Sequence, residues 1–227
     1  MKPFHVAIIP DGNRRWAKQK NLPPLKGHSV GIKKLKDALK WAKKANVDIL
    51  SLWILSTENL NRSEDEIKGL FKYFETEIIK HLKDKYVDKH KVKVNFIGEI
   101  QTLPPKLQKL IYDVEKKSSK YDEGKILNLF TAYGGRKEML HAVNSILEKG
   151  LKNIDEKTFG NYLYTKNLPD PDLIIRTSGE IRISGLMPWQ TVYSELYFSE
   201  KLWPDFNEKD FLDAIEEYHK RKRRFGK

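Results

Sequence analysis

The sequence predicts an α/β fold, a single domain with a mainly parallel β-sheet flanked by helices, and three observations carry that expectation. Buried-looking runs at Val6-Ala7-Ile8-Ile9, Ile49 to Leu55, Ile126 to Thr131 and Leu173-Ile174-Ile175 alternate with stretches of helical periodicity. That order suits a parallel sheet covered on both faces. Connections are short and no Pro/Gly/Ser-rich linker divides the 227 residues, so residues 1–227 read as one domain with one sizeable core. Each run also ends in polar, glycine- or arginine-bearing residues, and ligands of open parallel sheets bind beyond the carboxyl ends of the strands.

The first strand, Val6 to Ile9, runs into Pro10-Asp11-Gly12-Asn13-Arg14-Arg15-Trp16. It delivers a carboxylate to its tip, and Gly12 lets backbone N–H groups approach a ligand at the start of the following helix. Asp11 then ligates Mg²⁺ while Arg14 and Arg15 bind diphosphate oxygens, or Asp11 merely caps a helix and the arginines are solvated. This segment alone supports both readings equally.

Ile32, Leu35, Leu39 and Ala42 mark an amphipathic helix, after which the Ile49–Leu55 strand ends in Ser56-Thr57-Glu58-Asn59, with Arg62 beyond. Asn61-Arg62-Ser63-Glu64 opens a helix carrying Ile67, Leu70, Phe71, Phe74, Ile78 and Leu82. Val92, Val94 and Phe96 form a strand with one more polar face before Gly98, and Pro104-Pro105 opens a helix with Leu107, Leu110, Ile111 and Val114. The Ile126–Thr131 strand ends at Tyr133-Gly134-Gly135-Arg136, followed by a helix with Leu140, Val143, Ile146 and Leu147. Residues 155–168 read as a small helix plus connector. Leu173 to Ile175 leads into Arg176-Thr177-Ser178-Gly179-Glu180, then Arg182 and Ser184, and a last helix spans roughly residues 208–223.

Formal net charge is +12, from 43 basic and 31 acidic residues. Lys33, Lys34, Lys36, Lys40, Lys43 and Lys44 decorate one helix, which reads first as a solvated face and second as an attraction to anionic lipid headgroups. There are no cysteines, so disulfides and cysteine-ligated metals are excluded, and a cytoplasmic location fits. No apolar run is long enough to span a membrane and no secretory leader is expected. Nucleic-acid binding is the competing reading of the basic charge, but no RRM, KH or helix-turn-helix pattern supports it, so no nucleic-acid partner is expected. The Walker-type loop, the Gly-x-Gly-x-x-Gly turn and the Gly-x-Ser-x-Gly elbow are all absent, which disfavours ATP hydrolysis, Rossmann dinucleotide binding and esterase chemistry.

Taken together, His5 to Ala17, Gly27-His28, Ser56-Thr57-Glu58-Asn59, Tyr133-Gly134-Gly135-Arg136, Asp170 to Glu180, Ser194-Glu195-Leu196-Tyr197-Phe198, Leu202-Trp203-Pro204-Asp205-Phe206 and Arg223-Arg224-Phe225-Gly226 resemble the cis-prenyltransferase family along essentially the whole chain. The resemblance implies a homodimeric, Mg²⁺-dependent synthase that condenses isopentenyl diphosphate units onto an allylic diphosphate, farnesyl or geranylgeranyl, making cis double bonds. Its product would be a long polyprenyl diphosphate, a glycosyl-carrier lipid precursor, released with peripheral contact at a membrane surface. The family fold also implies a hydrophobic tunnel, for which Leu52, Ile54, Leu70, Phe71, Phe74 and Ile78 have suitable spacing, although the same residues suit an ordinary core.

By position, the resemblance implies that Asp11 binds Mg²⁺ and helps activate the departing diphosphate, with Glu195 completing the metal environment. Gly12, Asn13, Arg14 and Arg15 would cradle the allylic diphosphate, with Trp16, His28 and Arg62 beside it and Leu60 near the allylic tail. Ser56, Thr57, Glu58 and Asn59 would order the isopentenyl unit. Asn59 is the position assigned to proton removal, yet an amide is a poor base, so it reads better as a positioning group with a diphosphate oxygen taking the proton. Arg176, Arg182, Ile183 and Ser184 would hold isopentenyl diphosphate, and Arg224 and Gly226 would reach the partner subunit's site. Three positions depart from common members: Pro24 replaces a diphosphate-binding arginine that Arg14 offsets, Ile181 replaces a metal-binding histidine, and Leu60 replaces a tryptophan.

Overall fold

The structure is a computed structural model that describes residues 2–83, 86–121 and 124–222. β1 (His5–Ile9) is buried along its whole length, as its uninterrupted apolar run requires. After it come α1 (Asn13–Gln19), α2 (Pro24–Lys44), β2 (Ile49–Trp53), α3 (Glu64–Lys83), α4 (Tyr86–His90), β3 (Val92–Ile97), α5 (Pro105–Ser118) and β4 (Lys125–Phe130). The chain continues through α6 (Gly135–Glu148), α7 (Glu156–Gly160), β5 (Leu173–Arg176), β6 (Glu195–Phe198) and α8 (Glu208–Lys220).

Six strands form one sheet in the order β3-β4-β2-β1-β5-β6, and every pairing is parallel. The chain leaves β1 towards β2 and leaves β5 towards β6, so adjacent loops depart in opposite directions and open a crevice at the carboxyl ends of β1 and β5.

One face of the sheet packs Val6, Ile8, Leu50, Leu52, Leu173 and Ile175 against Ala38, Trp41 and Ala42 of α2 and Phe211, Ala214 and Ile215 of α8. The other face sets Ala7, Ile9, Phe130 and Ile174 against Tyr133, Leu186 and Met187. A third cluster of Leu55, Leu70, Phe74, Leu103, Leu107 and Ile111 joins α3 to α5 beyond the end of the sheet. At roughly 2 kcal/mol for each large apolar side chain buried, these clusters dominate the driving force.

A polar row crosses the second face. His5 Nε2 meets Ser51 Oγ at 2.7 Å, Asn128 Nδ2 donates to Ser51 Oγ at 3.1 Å, and Asn95 Nδ2 donates to Asn128 Oδ1 at 2.8 Å. Burial pushes the His5 imidazole down to about 4, so it stays neutral while Nδ1 meets the carbonyl of Pro169 at 2.8 Å.

The structure corrects several sequence expectations. The second strand stops at Trp53, because Ile54 and Leu55 both turn their N–H groups to the carbonyl of Phe130. The final helix ends at Lys220, after a capping box in which Asn207 and Asp210 hold each other's backbone N–H. Neither α4 nor β6 was evident from periodicity. The basic face of α2 is only partly solvated: Lys34 donates to the carbonyl of Phe206 at 2.6 Å, Lys44 pairs with Glu208, and Lys40 pairs with Asp37.

Candidate active site

Asp11 lies just past β1, where Gly12 turns the chain at φ +107°, and a Cβ there would approach Leu202 to 2.8 Å. Gly12 is the N-cap of α1 and no side chain caps that helix, so the capping reading of Asp11 fails. Its Oδ1 accepts the Gly12 N–H at 2.6 Å, and its Oδ2 accepts from Arg176 at 2.9 Å and from Arg15 at 3.4 Å. Burial alone would raise this carboxyl, but the Arg176 hydrogen bond and charge, with the Gly12 N–H, outweigh it and hold Asp11 below the usual carboxylate range.

Arg176 is the last residue of β5 and only 5% exposed. Besides Asp11 it donates to the Arg182 carbonyl and to Ser184 Oγ, each at 2.6 Å, while its buried Nε has no partner among the described residues. Arg15 reaches Ser178 Oγ at 2.6 Å and Glu180 at 2.9 Å, and Arg182 pairs with the same Glu180 at 2.6 Å. Ser178 and Ser184 sit at φ +87° and +51°, a costly conformation for residues with a Cβ, held here by the arginines they serve.

A second cationic group stands opposite. Arg62 contacts His28 Nε2 at 3.2 Å, and Glu66 meets Arg62 at 3.0 Å, His28 at 3.4 Å and Arg14 at 3.8 Å. Burial, reinforced by the Arg62 charge, lowers His28 to about 4, which leaves a neutral ring at neutral pH. Glu66 was missed in the sequence, although its place four residues after Arg62 on a helix was the available signal. Asn59 and Ser56 hold each other: Asn59 Oδ1 accepts the Ser56 N–H and Ser56 Oγ accepts the Asn59 N–H, both at 3.2 Å.

These groups share a cavity of about 850 Å³. Asp11, Gly12, Asn13, Arg14, Arg15, His28, Ser56, Asn59, Arg62, Arg176 and Ser184 line its polar end, and Ile32, Leu35, Ile54, Leu70, Phe74 and Trp203 its apolar wall. Other expected residues do not reach this wall. Trp16 donates its indole N–H to Asp205 at 2.8 Å, Thr57 is buried with its N–H on the Tyr133 carbonyl, and Glu58 is exposed. Leu60 packs against the α3–α5 cluster, Ile183 against the second sheet face, and Arg182 contributes its carbonyl while its side chain faces solvent. Leu52 is sheet core rather than lining, and Phe71 and Ile78 pack behind Phe74. Glu195 begins β6 opposite Leu173, three residues short of Arg176 in register, and pairs with Arg221 at 2.9 Å. That is about 10 Å down the strand, so within one subunit Glu195 does not join Asp11. Arg224 and Gly226 lie outside the described residues.

Among the described residues no group of three or more His, Cys, Asp or Glu side chains could hold a metal. Among the described residues, Asp11 is the only carboxylate of the cavity wall. That donor set suits Mg²⁺, which is commonly bound by one or two carboxylates together with substrate phosphates.

A strand-end pocket with one carboxylate and several cations, opening onto an apolar wall, defines an α/β protein for molecules with an anionic head and a hydrocarbon tail. The comparisons make that class specific. Residues 9–226 match the prenyltransferase family model described as "Putative undecaprenyl diphosphate synthase". An isoprenyl transferase of Thermotoga maritima is 45% identical, covering 99% of this chain and 97% of its own. A tritrans,polycis-undecaprenyl-diphosphate synthase (geranylgeranyl-diphosphate specific) of Pyrococcus abyssi is 42% identical over 99% of this chain and 87% of its own. Lavandulyl diphosphate synthase from Lavandula x intermedia, solved with dimethylallyl diphosphate, superposes with a TM-score of 0.92 at 36% identity, covering 99% of this chain and 98% of that one. The chain belongs to the cis-prenyltransferase family and is a prenyl-transferring enzyme of the polyprenyl diphosphate synthase type.

Proposed function

We propose that the chain adds isopentenyl diphosphate units to geranylgeranyl diphosphate, with the diphosphates held at the polar end of the 850 Å³ cavity and the growing chain along Ile32, Leu35, Ile54, Leu70 and Phe74. The observation that carries this is the Asp11 carboxylate, gripped by Arg15 and Arg176 at the mouth of that cavity. The geranylgeranyl primer follows the specificity that the name of the Pyrococcus abyssi relative carries.

Arg14, Arg62 and the neutral His28 form the cradle for the allylic diphosphate, and Arg176 and Ser184 hold isopentenyl diphosphate, with the Arg182 carbonyl fixing Arg176. Arg14 and Pro24 both line the cavity, so Arg14 supplies the cation that position 24 lacks. As the allylic C–O bond breaks, negative charge grows on the leaving diphosphate and positive charge on carbon, and the arginines meet the former where water is excluded. The terminal alkene carbon C4 of the isopentenyl unit forms the new bond to the allylic C1 as diphosphate leaves, positive charge passes to C3, and the C2 CH₂ gives a proton to a diphosphate oxygen so that the double bond moves to C2–C3. Asn59 holds that CH₂ in place; its Oδ1 is committed to the Ser56 N–H and is no base. The family generally uses Mg²⁺; on Asp11 it would neutralise charge on the departing diphosphate.

Leu140, Leu147, Val192 and Tyr193 are each more than 60% exposed, and Leu140, Val143 and Leu147 form one stripe of α6. A second copy of the chain covers these residues, and a homodimer in sedimentation equilibrium that Leu147→Glu dissociates is the expected result. No described helix is long and apolar enough to cross a membrane; the exposed lysines of α2 provide a peripheral contact with anionic lipid.

The test is incubation with Mg²⁺, labelled isopentenyl diphosphate and either farnesyl or geranylgeranyl diphosphate, followed by sizing of the extracted lipid. Elongation primed by geranylgeranyl diphosphate is expected. Absence of elongation with both primers would overturn the reading.

A further inference from the structure

Glu138, in the first turn of α6, is a completely buried carboxylate with no cationic partner among the described residues. Four donors satisfy it instead. Its Oε2 accepts the Tyr133 hydroxyl at 2.6 Å and Gln190 Nε2 at 3.4 Å, and its Oε1 accepts the Thr165 N–H at 3.2 Å and hydroxyl at 3.0 Å. A buried carboxyl group is costly unless its hydrogen-bonding shell is complete, and losing one donor leaves one of its oxygens short of a partner.

What the shell connects is more informative than its strength. Tyr133 gives its carbonyl to the Thr57 N–H at 3.1 Å and to Trp53 Nε1 at 3.2 Å, so it supports the Ser56–Asn59 turn from below. Gly134 permits this approach, because a Cβ there would lie 2.4 Å from Thr57 Oγ1. The Tyr133 hydroxyl also accepts the Met187 N–H at 3.2 Å, and the Gly135 N–H donates to the Gly185 carbonyl at 3.1 Å. Those bonds hold the segment that follows Ser184. Ala132 and Met187, at the two ends of this linkage, have φ values of +47° and +48°, strained conformations that persist where surrounding contacts over-determine them.

We propose that Glu138 is a positioning residue for isopentenyl diphosphate: through Tyr133 it fixes the separation between the turn carrying Asn59 and the turn carrying Ser184. This rests on the assignment of those two turns to the two ends of that substrate. The allylic cradle of Arg14, His28 and Arg62 is built on α1, α2 and the turn before α3, and no member of the Glu138 shell touches it among the contacts of the described residues. The consequence is selective: weakening the clamp misaligns one substrate and spares the other.

Steady-state kinetics of the full chain provide the test, with wild type, Tyr133→Phe, Glu138→Gln and Glu138→Ala compared. Ser118→Ala, which removes the buried bond to the Val94 N–H, serves as a control for lost stability. Tyr133→Phe should raise KM for isopentenyl diphosphate by about ten-fold, the loss of roughly one buried hydrogen bond, with KM for the allylic primer within about two-fold. Glu138→Gln, which keeps shape and one acceptor, should recover part of what Glu138→Ala loses. Ser118→Ala should lower Tm without moving either KM. Equal shifts in both KM values, or none in Tyr133→Phe and Glu138→Gln, would overturn the proposal. A wild-type chain that transfers no prenyl group would instead overturn the assignment of the site, and this proposal with it.

Discussion

The two cationic groups of the cavity are built on opposite principles. Arg176 grows from the end of a central strand, is almost wholly buried, and is fixed by Asp11, a backbone carbonyl and a serine. Arg14 stands on α1 and Arg62 in the turn before α3, both more exposed, and they share the acidic neighbour Glu66 with His28. The first group is rigid before any substrate arrives; the second balances its own charge through a side chain that an incoming diphosphate must compete with. On the proposed assignment the fixed group sets the position of isopentenyl diphosphate, while the charge that develops on the departing allylic diphosphate falls to the cradle whose own counter-charge that diphosphate displaces.

Substitutions can break this contrast. Asp11→Ala should have the largest effect, abolishing elongation in the lipid-sizing assay, because it strips the rigid group of its carboxylate and the cavity wall of the ligand proposed for Mg²⁺. Arg176→Ala should lower kcat/KM for isopentenyl diphosphate by roughly a hundred- to a thousand-fold, since it also leaves Asp11 half-buried without its main partner. Arg62→Ala should cost about ten- to a hundred-fold, expressed in the primer's kcat/KM. If the two arginine variants affected both substrates alike, the division into two groups would be lost. Deleting residues 222–227 should depress kcat while Tm stays within about 2 °C, and retained activity would remove the tail from the site.

The smallest effect concerns pH. His5 and His28 both have imidazoles lowered from 6.5 to about 4, so the unfolded chain binds more protons than the folded one between those values. Stability therefore rises with pH across that window and is lost as pH falls from about 6.5 towards 4, by about 3 kcal/mol for His5. Tm measured from pH 7 to 4.5 should fall, and less steeply in His5→Asn. The His28 ring stays neutral from pH 5.5 to 8, so primer KM should show no histidine titration there.

Much of this was legible in advance. Five of the six strands and most helices follow from apolar runs and periodicity, and Asp11, Arg176 and Ser184 were visible as polar residues placed after strands. β6 was not, because four residues with half-exposed side chains carry no run or clean alternation. Glu195 was assigned by resemblance, which conveys a role but no register, and register puts it at the wrong end of its strand for Asp11 in the same subunit. Glu66 and Glu138 escaped because a glutamate in a helix is ordinarily solvated; only tertiary contact shows that one balances three basic groups and the other is sealed among hydroxyls and amides.

The row from His5 through Ser51 and Asn128 to Asn95 has a metric consequence. In parallel strands it works as a common zero mark from which the heights of three loops are counted: six residues from His5 to Asp11, five from Ser51 to Ser56, five from Asn128 to Tyr133. Sliding any one strand by a single residue would bury its polar member in hydrocarbon, raise its loop by about 3.3 Å, and reverse the side chains it presents. Levelling of these loops is thus set within the sheet, by an imidazole, two amides and a hydroxyl that do not line the cavity.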